Sequence, residues 1–331
     1  MLKEPLIKYT VQELLSWQES MALLLDIKQP DWMTDNEMRD QLRHYLADGD
    51  IRIAAEPGRL EDIEMLAVSN YFPGEALKYP NLKVIQKTGA GVNNIFADSD
   101  LPKTIKITRL QTTTSGNEMA EYALAYVLQE QRHLRNYRSQ QSRSQWISYP
   151  PRRSDETTVA ILGLGRIGQQ AAQRFIDNQF KVIGWSRSQK ELPGVDCYAG
   201  MDGLEQLLEI ADYVVAILPS TPETAGLFSR PVFEWFKPEA FLINVGRGDL
   251  VNETDLIQAL DDKLLAGAIL DVVSTEPLGE ESLLWLHPKI QLTPHISGYH
   301  LGDAIMDIAE NFRRLESGED LLHLVDRKLG Y

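Results

Sequence analysis

The strongest constraint on how this chain folds is a glycine pattern that directly follows a short apolar run. Residues 158–162 read TVAIL, a β-type run, and Gly163, Gly165 and Gly168 follow in G-x-G-x-x-G spacing. The next residues carry apolar side chains at helical spacing. In such a strand–turn–helix, the first glycine permits the tight turn, the second lets a pyrophosphate approach the backbone, and the third lets the helix pack on the strand. The pattern predicts a dinucleotide site.

The end of the next predicted strand indicates which dinucleotide binds. An Asp or Glu about 20 residues after the glycines usually accepts hydrogen bonds from the adenosine ribose. Here the strand ends in Trp185-Ser186-Arg187-Ser188, which contains no acid. A guanidinium fork flanked by hydroxyl groups suits a phosphate group. We therefore expect NADP(H) to be preferred over NAD(H).

Strand-like and helix-like segments alternate along the chain in two series, which is typical of α/β proteins with parallel sheets. The first series predicts short strands at 21–27, 51–55, 64–69 and 83–87, with a helix at 34–47. The second predicts strands at 157–162, 181–185, 212–218, 240–245, 267–273 and 289–293. An extra helix is predicted at 10–20, a long helical run begins at 117, and the stretch YPPRRSDET at 149–157 is predicted to be a linker.

Charge and composition exclude several classes of partner. The formal net charge of −15 argues against nucleic acid or an anionic membrane. No apolar run approaches the about 18 residues of a membrane span, and the N-terminus has no secretory signal core. Cys197 is the only cysteine, which fits a cytoplasmic location without disulfides. The histidines and this cysteine show no metal-ligand spacing, so we expect no metal.

Three ionisable residues lie just past the ends of predicted strands in the second series. Arg247 follows the strand at 240–245, Glu276 follows the one at 267–273, and His295 follows the last. Ligands of open parallel sheets bind outside the carboxyl ends of the strands, so these side chains should meet beside the glycine loop. His287 precedes its strand and is expected at the opposite edge. We predict that Arg247, Glu276 and His295 are catalytic.

At these residues the chain resembles the D-isomer-specific 2-hydroxyacid dehydrogenases. The matching pieces occur in the family's order: KTGAGVNNI (87–95), GLGRIG (163–168), LPSTPETAGLF (218–228), NVGRGDLV (244–251), GAILDVVSTEPL (267–278) and LTPHISG (292–298). WSRS (185–188) and VDRKLGY (325–331) are similar to the branch of glyoxylate/hydroxypyruvate reductases A.

The resemblance implies a fold of two Rossmann-like domains with parallel sheets and an active site in the interdomain cleft. The substrate-binding domain would be split between residues 1–112 and 300–331, and the dinucleotide-binding domain would be 113–299. The long helical run would lie at the hinge. A homodimer is the implied assembly, in which the region of Trp146 extends an arm across the partner.

The resemblance also implies roles for individual residues. Protonated His295 would supply a proton to the alkoxide of a reduced 2-keto acid, and Glu276 would stabilise and orient its ring. Arg247 would bind the substrate carboxylate and polarise the keto oxygen. Backbone amides of Ala90, Gly91 and Val92 would hold the same carboxylate. Implied cofactor contacts are Gly163, Gly165, Arg166, Ile167, Ser186, Arg187, Ser188, Leu218, Pro219, Thr224, Val245 and Asp271.

The sequence leaves several assignments open. Asp271 matches a position that contacts the nicotinamide carboxamide, but an Asp at a sheet end serves equally well as a structural cap. Tyr299-His300 departs from the family pattern. The substrate is glyoxylate, hydroxypyruvate or another 2-keto acid such as pyruvate, with Asn70, Tyr71 and the 88–92 loop expected to set the choice. A dinucleotide-sensing corepressor of the same fold is the alternative from a different functional class.

Overall fold

The chain is described here from a computed structural model that covers residues 21–29 and 32–327 of the 331-residue sequence. It divides into two compact units. The first unit takes the described residues up to Gln111 and from Asp303 onward, and the second unit is Thr112–Gly302. The helix predicted at 10–20 lies outside the described residues.

Helices and strands alternate along the described chain. The strands are β1 (Ala22–Asp26), β2 (Asp50–Ile53), β3 (Ile63–Val68), β4 (Val84–Lys87), β5 (Lys106–Thr108), β6 (Thr158–Leu162), β7 (Lys181–Ser186), β8 (Val195–Ala199), β9 (Tyr213–Ala216), β10 (Phe241–Asn244), β11 (Gly267–Leu270) and β12 (Ile290–Leu292). The helices are α1 (Asp35–Leu42), α2 (Asn93–Phe96), α3 (Thr113–Gln131), α4 (Leu134–Ser142), α5 (Arg166–Asp177), α6 (Gly200–Ile210), α7 (Arg230–Phe233), α8 (Glu253–Asp261) and α9 (Ala304–Ser317). In the ranges 21–29 and 32–327, none of the helices has the length and apolar character needed to cross a bilayer.

The first unit is built on a parallel sheet with strand order β2-β1-β3-β4-β5. Its central strands are nearly continuous apolar runs that are buried along most of their length, as expected when helices cover both faces of a sheet. α1 begins with a capping box, in which the Thr34 side chain accepts the amide of Glu37 and the Glu37 carboxylate accepts the amide of Thr34. The predicted strands at 21–27, 51–55, 64–69 and 83–87 are confirmed within one or two residues.

A buried polar cluster joins the C-terminal helix of the first unit to its sheet. The Gln86 side-chain oxygen accepts hydrogen bonds from the Thr108 hydroxyl at 2.7 Å and from the Asn311 side-chain amide at 2.8 Å. Gln86, Thr108 and Asn311 are each fully buried. Asn311 also accepts the Leu322 amide at 2.7 Å, which fixes the segment after α9. A buried polar group is stable only when it is paired. These residues therefore specify how the two segments of the first unit pack together.

The second unit is built on a parallel sheet with strand order β12-β11-β10-β9-β6-β7-β8. Alternate residues of β6 enter different apolar cores, Ala160 and Leu162 on one face and Val159 and Ile161 on the other. β6 pairs with both β7 and β9, so the strand order reverses beside it. Such a reversal opens a crevice at the carboxyl ends of the strands, and the glycine loop follows β6 directly. The predicted α/β fold with two parallel, Rossmann-like sheets is confirmed.

Several details of the prediction are wrong. The run from 117 is two helices, because the chain breaks at His133, which has a left-handed φ of +56° and contacts the Tyr149 ring in a tilted geometry. The edge strand β8 was missed because its residues are half-exposed and lack a continuous apolar run. The three-residue strand β5 was missed as well. The stretch 149–157, predicted to be a linker, connects α4 to β6 within the second unit.

Asp212 fixes that stretch to the sheet. Its carboxylate accepts two hydrogen bonds from the Arg152 guanidinium at 2.8 and 3.2 Å and one from the Lys237 ammonium at 2.6 Å. It also accepts the amide of Thr158, the first residue of β6, at 2.8 Å. Burial alone would raise the pKa of Asp212, but the hydrogen bonds and charges of Arg152, Lys237 and Thr158 outweigh burial and lower it. Asp212 therefore contributes stability only as a carboxylate.

We expect Asp212→Asn to lower the free energy of unfolding at pH 7 by about 1.5–3 kcal/mol, the usual value of hydrogen bonds to a charged group. Because the folded-state pKa lies below the ordinary value of about 3.9, the contribution is complete above that pH and is lost as pH falls through the folded-state value. Urea unfolding between pH 7 and pH 3 should show the two proteins converging. Asp155→Asn is the control, because Asp155 pairs with Arg153 in the same stretch but is more exposed than Asp212. Its free energy of unfolding should not change measurably. Equal losses in both variants would contradict this role of Asp212.

Candidate active site

The glycines of the loop after β6 differ in what surrounds them. Gly163 has a φ of +104°, and a Cβ there would lie 2.6 Å from the Ile217 carbonyl oxygen. A Cβ on Gly168 would lie 1.8 Å from the Gly163 carbonyl oxygen. A Cβ on Gly165 would meet no atom of the described chain within 4 Å. Gly163 and Gly168 are therefore required by the fold itself, whereas Gly165 keeps space open outside the loop.

The helix α5 begins immediately after that open space, with Gly165 as its N-cap. Its first amides have no partner within the helix, and they face the place where a pyrophosphate would bind. Arg166 is exposed and donates to the Thr113 hydroxyl at 2.9 Å, and Ile167 is partly buried against the core. The Lys190 ammonium donates to the Leu164 carbonyl at 2.7 Å, which brings a cation to the loop. Lys190 lies beyond the WSRS motif, so no sequence pattern pointed to it.

The end of β7 carries the residues predicted to bind a 2′-phosphate. Ser186 is buried and its hydroxyl donates to the Ser188 carbonyl at 2.8 Å, so this side chain shapes the turn. Arg187 and Ser188 are exposed. The pKa of Glu223 is lowered by a hydrogen bond from Thr221 and also by the positive charge of Arg187. Arg187 therefore acts electrostatically on the 218–224 loop as well.

Other predicted cofactor residues mainly support the loops around the site. Thr224 donates its hydroxyl to the Pro219 carbonyl at 2.6 Å and accepts the Thr221 amide at 2.9 Å, which closes the turn between them. The side chains of Leu218 and Val245 are buried in the core. For these residues, only backbone atoms remain available to a ligand.

Arg247 lies between two close backbone contacts. A Cβ on Gly246 would lie 2.8 Å from the Leu218 carbonyl oxygen, and one on Gly248 would lie 1.9 Å from the Val273 carbonyl oxygen. The two glycines thus let the loop after β10 pack between the loops after β9 and β11. The buried Asn244 side chain donates to the Arg247 carbonyl at 2.9 Å and accepts the Gly246 amide at 3.1 Å. Asn244 is a supporting residue that the sequence analysis did not identify.

His295 and Glu276 form an acid–imidazole pair. Nδ1 of His295 lies 2.8 Å from Oε2 of Glu276. Burial alone would raise the pKa of Glu276, but the His295 ring, the Val273 amide and the charge of Arg247 together lower it. Glu276 is therefore held as a carboxylate beside His295 and Arg247. The structure thus brings together Arg247, Glu276 and His295, which we call the ionisable trio.

Asp271 follows β11 and is 1% exposed. Its carboxylate accepts the Thr293 hydroxyl at 2.6 Å, the Ile296 amide at 2.8 Å and the Ser297 amide at 2.9 Å. Its backbone carbonyl accepts the His295 amide at 2.8 Å. Of the two roles left open by the sequence, the geometry favours the structural cap.

The predicted substrate loop belongs to the first unit. Ala90 is exposed, its carbonyl lies 3.4 Å from the Arg109 guanidinium, and Val92 is buried at the start of α2. Tyr71 is a core residue whose hydroxyl donates to Asp98 at 2.7 Å, contrary to its expected place at the substrate. Asn70 is exposed and donates to a backbone carbonyl at 3.3 Å.

Other predicted features of the second unit lie outside the ionisable trio. His300, which departs from the family pattern, hydrogen-bonds Glu118 through its ring and its amide. His287 pairs with Asp261 at 3.4 Å. Trp146 is 99% exposed. Within the described ranges, no group of three or more His, Cys, Asp or Glu side chains is arranged to hold a metal ion.

Comparison with known proteins gives consistent matches. Residues 124–297 match the family model described as D-isomer specific 2-hydroxyacid dehydrogenase, NAD binding domain. A glyoxylate/hydroxypyruvate reductase A from Serratia proteamaculans is 39% identical over 256 residues, covering 76% of this chain and 82% of the relative.

Solved structures match over most of the chain. A D-isomer specific 2-hydroxyacid dehydrogenase from Xanthobacter autotrophicus Py2, in complex with NADPH and MES, has a TM-score of 0.87 and 34% identity, covering 94% of this chain and 100% of that one. An NADPH-dependent glyoxylate/hydroxypyruvate reductase from Sinorhizobium meliloti, in complex with NADP and sulfate, has a TM-score of 0.85 and 31% identity, with the same coverage.

The glycine geometry gives a prediction that separates ligand binding from folding. Gly165→Ala should leave the unfolding temperature unchanged, because its Cβ meets no protein atom, and should raise the NADPH Kd at least about tenfold by occupying the phosphate space. Gly168→Ala should destabilise the protein by about 1–3 kcal/mol through the clash with Gly163. Calorimetry and NADPH fluorescence titration measure both quantities. Unchanged NADPH affinity in Gly165→Ala would contradict the predicted phosphate position.

Proposed function

The chain belongs to the D-isomer specific 2-hydroxyacid dehydrogenase family, and we propose that it reduces small 2-keto acids, with glyoxylate and hydroxypyruvate as substrates and NADPH as the reductant. The observation that carries the proposal is the ionisable trio at one edge of the second sheet, with His295 and Glu276 paired at 2.8 Å. The reductases from Serratia and Sinorhizobium support this reaction class.

His295 would act as the proton donor. Its Nδ1 faces the Glu276 carboxylate, so Nε2 is the ring nitrogen left to donate to the keto oxygen. The lowered pKa of Glu276 keeps that carboxylate charged, which favours the protonated ring. Bound NADPH would supply the hydride to C2 of the keto acid. His295 would then neutralise the alkoxide as it forms.

Arg247 would bind the substrate through its carboxylate. A guanidinium presents paired N–H donors that match a carboxylate, and its charge also stabilises the oxygen on which negative charge develops. Asn244 holds the Arg247 backbone, which limits the positions open to the side chain.

The residues present fit a dinucleotide phosphate. The open space at Gly165, the free amides of α5 and the Lys190 ammonium together suit a pyrophosphate. Arg187 at the end of β7 suits a 2′-phosphate and leaves no carboxylate there to repel one. The NADPH and NADP complexes of the two structural neighbours support the same preference.

We include a homodimer and a cytoplasmic location in the proposal. Trp146 is almost fully exposed, as an arm awaiting a partner would be. Residues 132–153 contain no Asp or Glu, in a chain of net charge −15, so the acidic surface of a second copy is complementary to them. Three of their cations, Arg135, Arg152 and Arg153, pair with acids of the same chain, and the others are Arg132, Arg138 and Arg143. Sedimentation tests the dimer, since a monomer at all concentrations would contradict it.

The single Cys197 supports the cytoplasmic location, because it fits a reducing compartment.

The decisive experiment is NADPH oxidation with a panel of 2-keto acids at fixed NADPH. Turnover with glyoxylate or hydroxypyruvate as the best substrate supports the proposal. Faster turnover of pyruvate or a larger keto acid would assign a different substrate within the same class. Tight NADPH binding without turnover of any keto acid would favour a dinucleotide-sensing protein instead.

We expect Arg187→Asp to lower kcat/KM for NADPH by about 10- to 150-fold, mainly through the cofactor KM. This range corresponds to a charge-assisted hydrogen bond of about 1.5–3 kcal/mol. The NADPH-to-NADH preference should narrow or invert. Lys181→Asp, at the other end of β7, makes the same charge change and is the control. Equal use of NADH and NADPH by the wild type would contradict the 2′-phosphate assignment.

We expect His295→Gln to keep NADPH affinity while kcat for keto-acid reduction falls about 10²- to 10⁴-fold, the usual contribution of general acid–base catalysis. His300→Gln is the matched control, because His300 forms an acid–imidazole pair with Glu118 elsewhere in the same unit. Its kcat should not change. A His295→Gln enzyme with nearly normal kcat would remove His295 from the mechanism.

A further inference from the structure

We propose that Asp271, Thr293 and Tyr122 are positioning residues for His295, and that their hydrogen bonds, which converge on Asp271, link α3 to the loop that carries the imidazole. The assignment rests on the proposed function, in which His295 donates the proton. It gives the buried Asp271 carboxylate a task within the protein.

The first step concerns the hydrogen bonds by which Asp271 fixes the 293–297 loop. Its carboxylate and its carbonyl accept hydrogen bonds before, at and after His295: from the Thr293 hydroxyl, the His295 amide and the Ile296 and Ser297 amides. Donors therefore meet Asp271 on both sides of the imidazole-bearing residue.

The second step concerns the backbone conformation that these hydrogen bonds maintain. His295 has a φ of +56°, in the left-handed region that side chains with a Cβ seldom adopt. Such a conformation persists only when the surroundings enforce it. The His295 side chain is half-exposed, so the fixed backbone and the Glu276 contact are what define the ring position.

The third step concerns the direction of these hydrogen bonds. The Thr293 hydroxyl carries one proton, which it donates to Asp271 at 2.6 Å. The Tyr122 hydroxyl lies 2.6 Å from the same Thr293 oxygen, so Tyr122 must be the donor in that contact. Burial raises the pKa of Tyr122, which keeps this proton in place. The donor order is therefore Tyr122 to Thr293 to Asp271, and the Ile296 and Ser297 amides donate to the same carboxylate from the loop.

The two carboxylates near His295 consequently have separate tasks. Glu276 contacts the ring and favours its protonated form. Asp271 is satisfied by neutral amides and a hydroxyl, and it fixes the backbone from which the ring extends. Weakening the hydrogen bonds of Asp271 should reduce the fraction of time in which the His295 ring is correctly placed. It should not change how substrate or cofactor binds.

The experiment compares Thr293→Val with Thr293→Ser, and Tyr122→Phe with Tyr213→Phe. Thr293→Val removes the hydroxyl and keeps the shape, so kcat should fall about 10- to 100-fold with the keto-acid KM and NADPH Kd unchanged. Thr293→Ser restores the hydroxyl and should recover most of kcat. Tyr122→Phe should lower kcat about three- to tenfold. Tyr213→Phe removes another buried tyrosine hydroxyl, at the start of β9, and should have no effect.

A second readout needs no turnover. In protein with ¹³C-labelled histidine and no ligand, the His295 ring resonance is assigned by its loss in His295→Gln. It should be single and sharp in the wild type and in Thr293→Ser, and broadened or split in Thr293→Val. If the wild type reduces no keto acid, the proposed function fails, yet this comparison still decides the positioning role.

Three results would overturn the inference. Equal loss in Thr293→Ser, which keeps the hydroxyl, and in Thr293→Val would show that kcat does not depend on the hydroxyl. A rise in NADPH Kd with unchanged kcat in Thr293→Val would assign Asp271 to the cofactor. An unchanged His295 resonance together with a lowered unfolding temperature would leave only a contribution to stability.

Discussion

The chemistry of the second unit depends on the parallel register of β10, β11 and β12. Asn244 lies beside Leu270, and Leu270 lies beside Leu292, so these strands end at the same level of the sheet. The ionisable trio follows those ends within a few residues on each strand. A slip of one residue would turn each strand's side chains to the opposite face and separate the trio. The apolar residues that are buried on both faces prevent that slip, so the core sets the geometry of the site.

Much of this arrangement could be predicted from the sequence. Apolar runs located most strands, and the glycine spacing located the turn after β6, because both signals are local. The break at His133 and the strand β8 were missed, since each depends on contacts with distant residues. Asn244 and Thr293 were missed for the same reason: their partners lie on other loops, and no periodicity marks them. Family membership is confirmed, and the residue roles stay proposals.

The cations around the proposed site act against the field of the whole molecule. With a net charge of −15, the chain repels anions at long range, whereas a keto acid and NADPH are both anionic. Arg187, Lys190 and Arg247 are local exceptions near strand ends of one sheet. Since salt screens the long-range repulsion more than the short contacts, moderate ionic strength should favour substrate association. Specific attraction therefore has to come from hydrogen-bond geometry at the strand ends.

The cluster of Gln86, Thr108 and Asn311 has a consequence for the order in which the protein is completed. Native burial of Gln86 requires Asn311, and the ribosome adds Asn311 only after the whole second unit has been synthesised. The second unit is continuous in sequence and can fold during translation, whereas the five strands of the first are synthesised long before α9, which contacts their sheet through Asn311 and Gln86. The part of the sheet that α9 contacts is uncovered in this interval, which makes the first unit vulnerable to aggregation. The first unit is discontinuous in sequence, so its two segments have to meet across a long loop, which costs conformational entropy. We therefore expect chaperones to act on the first unit.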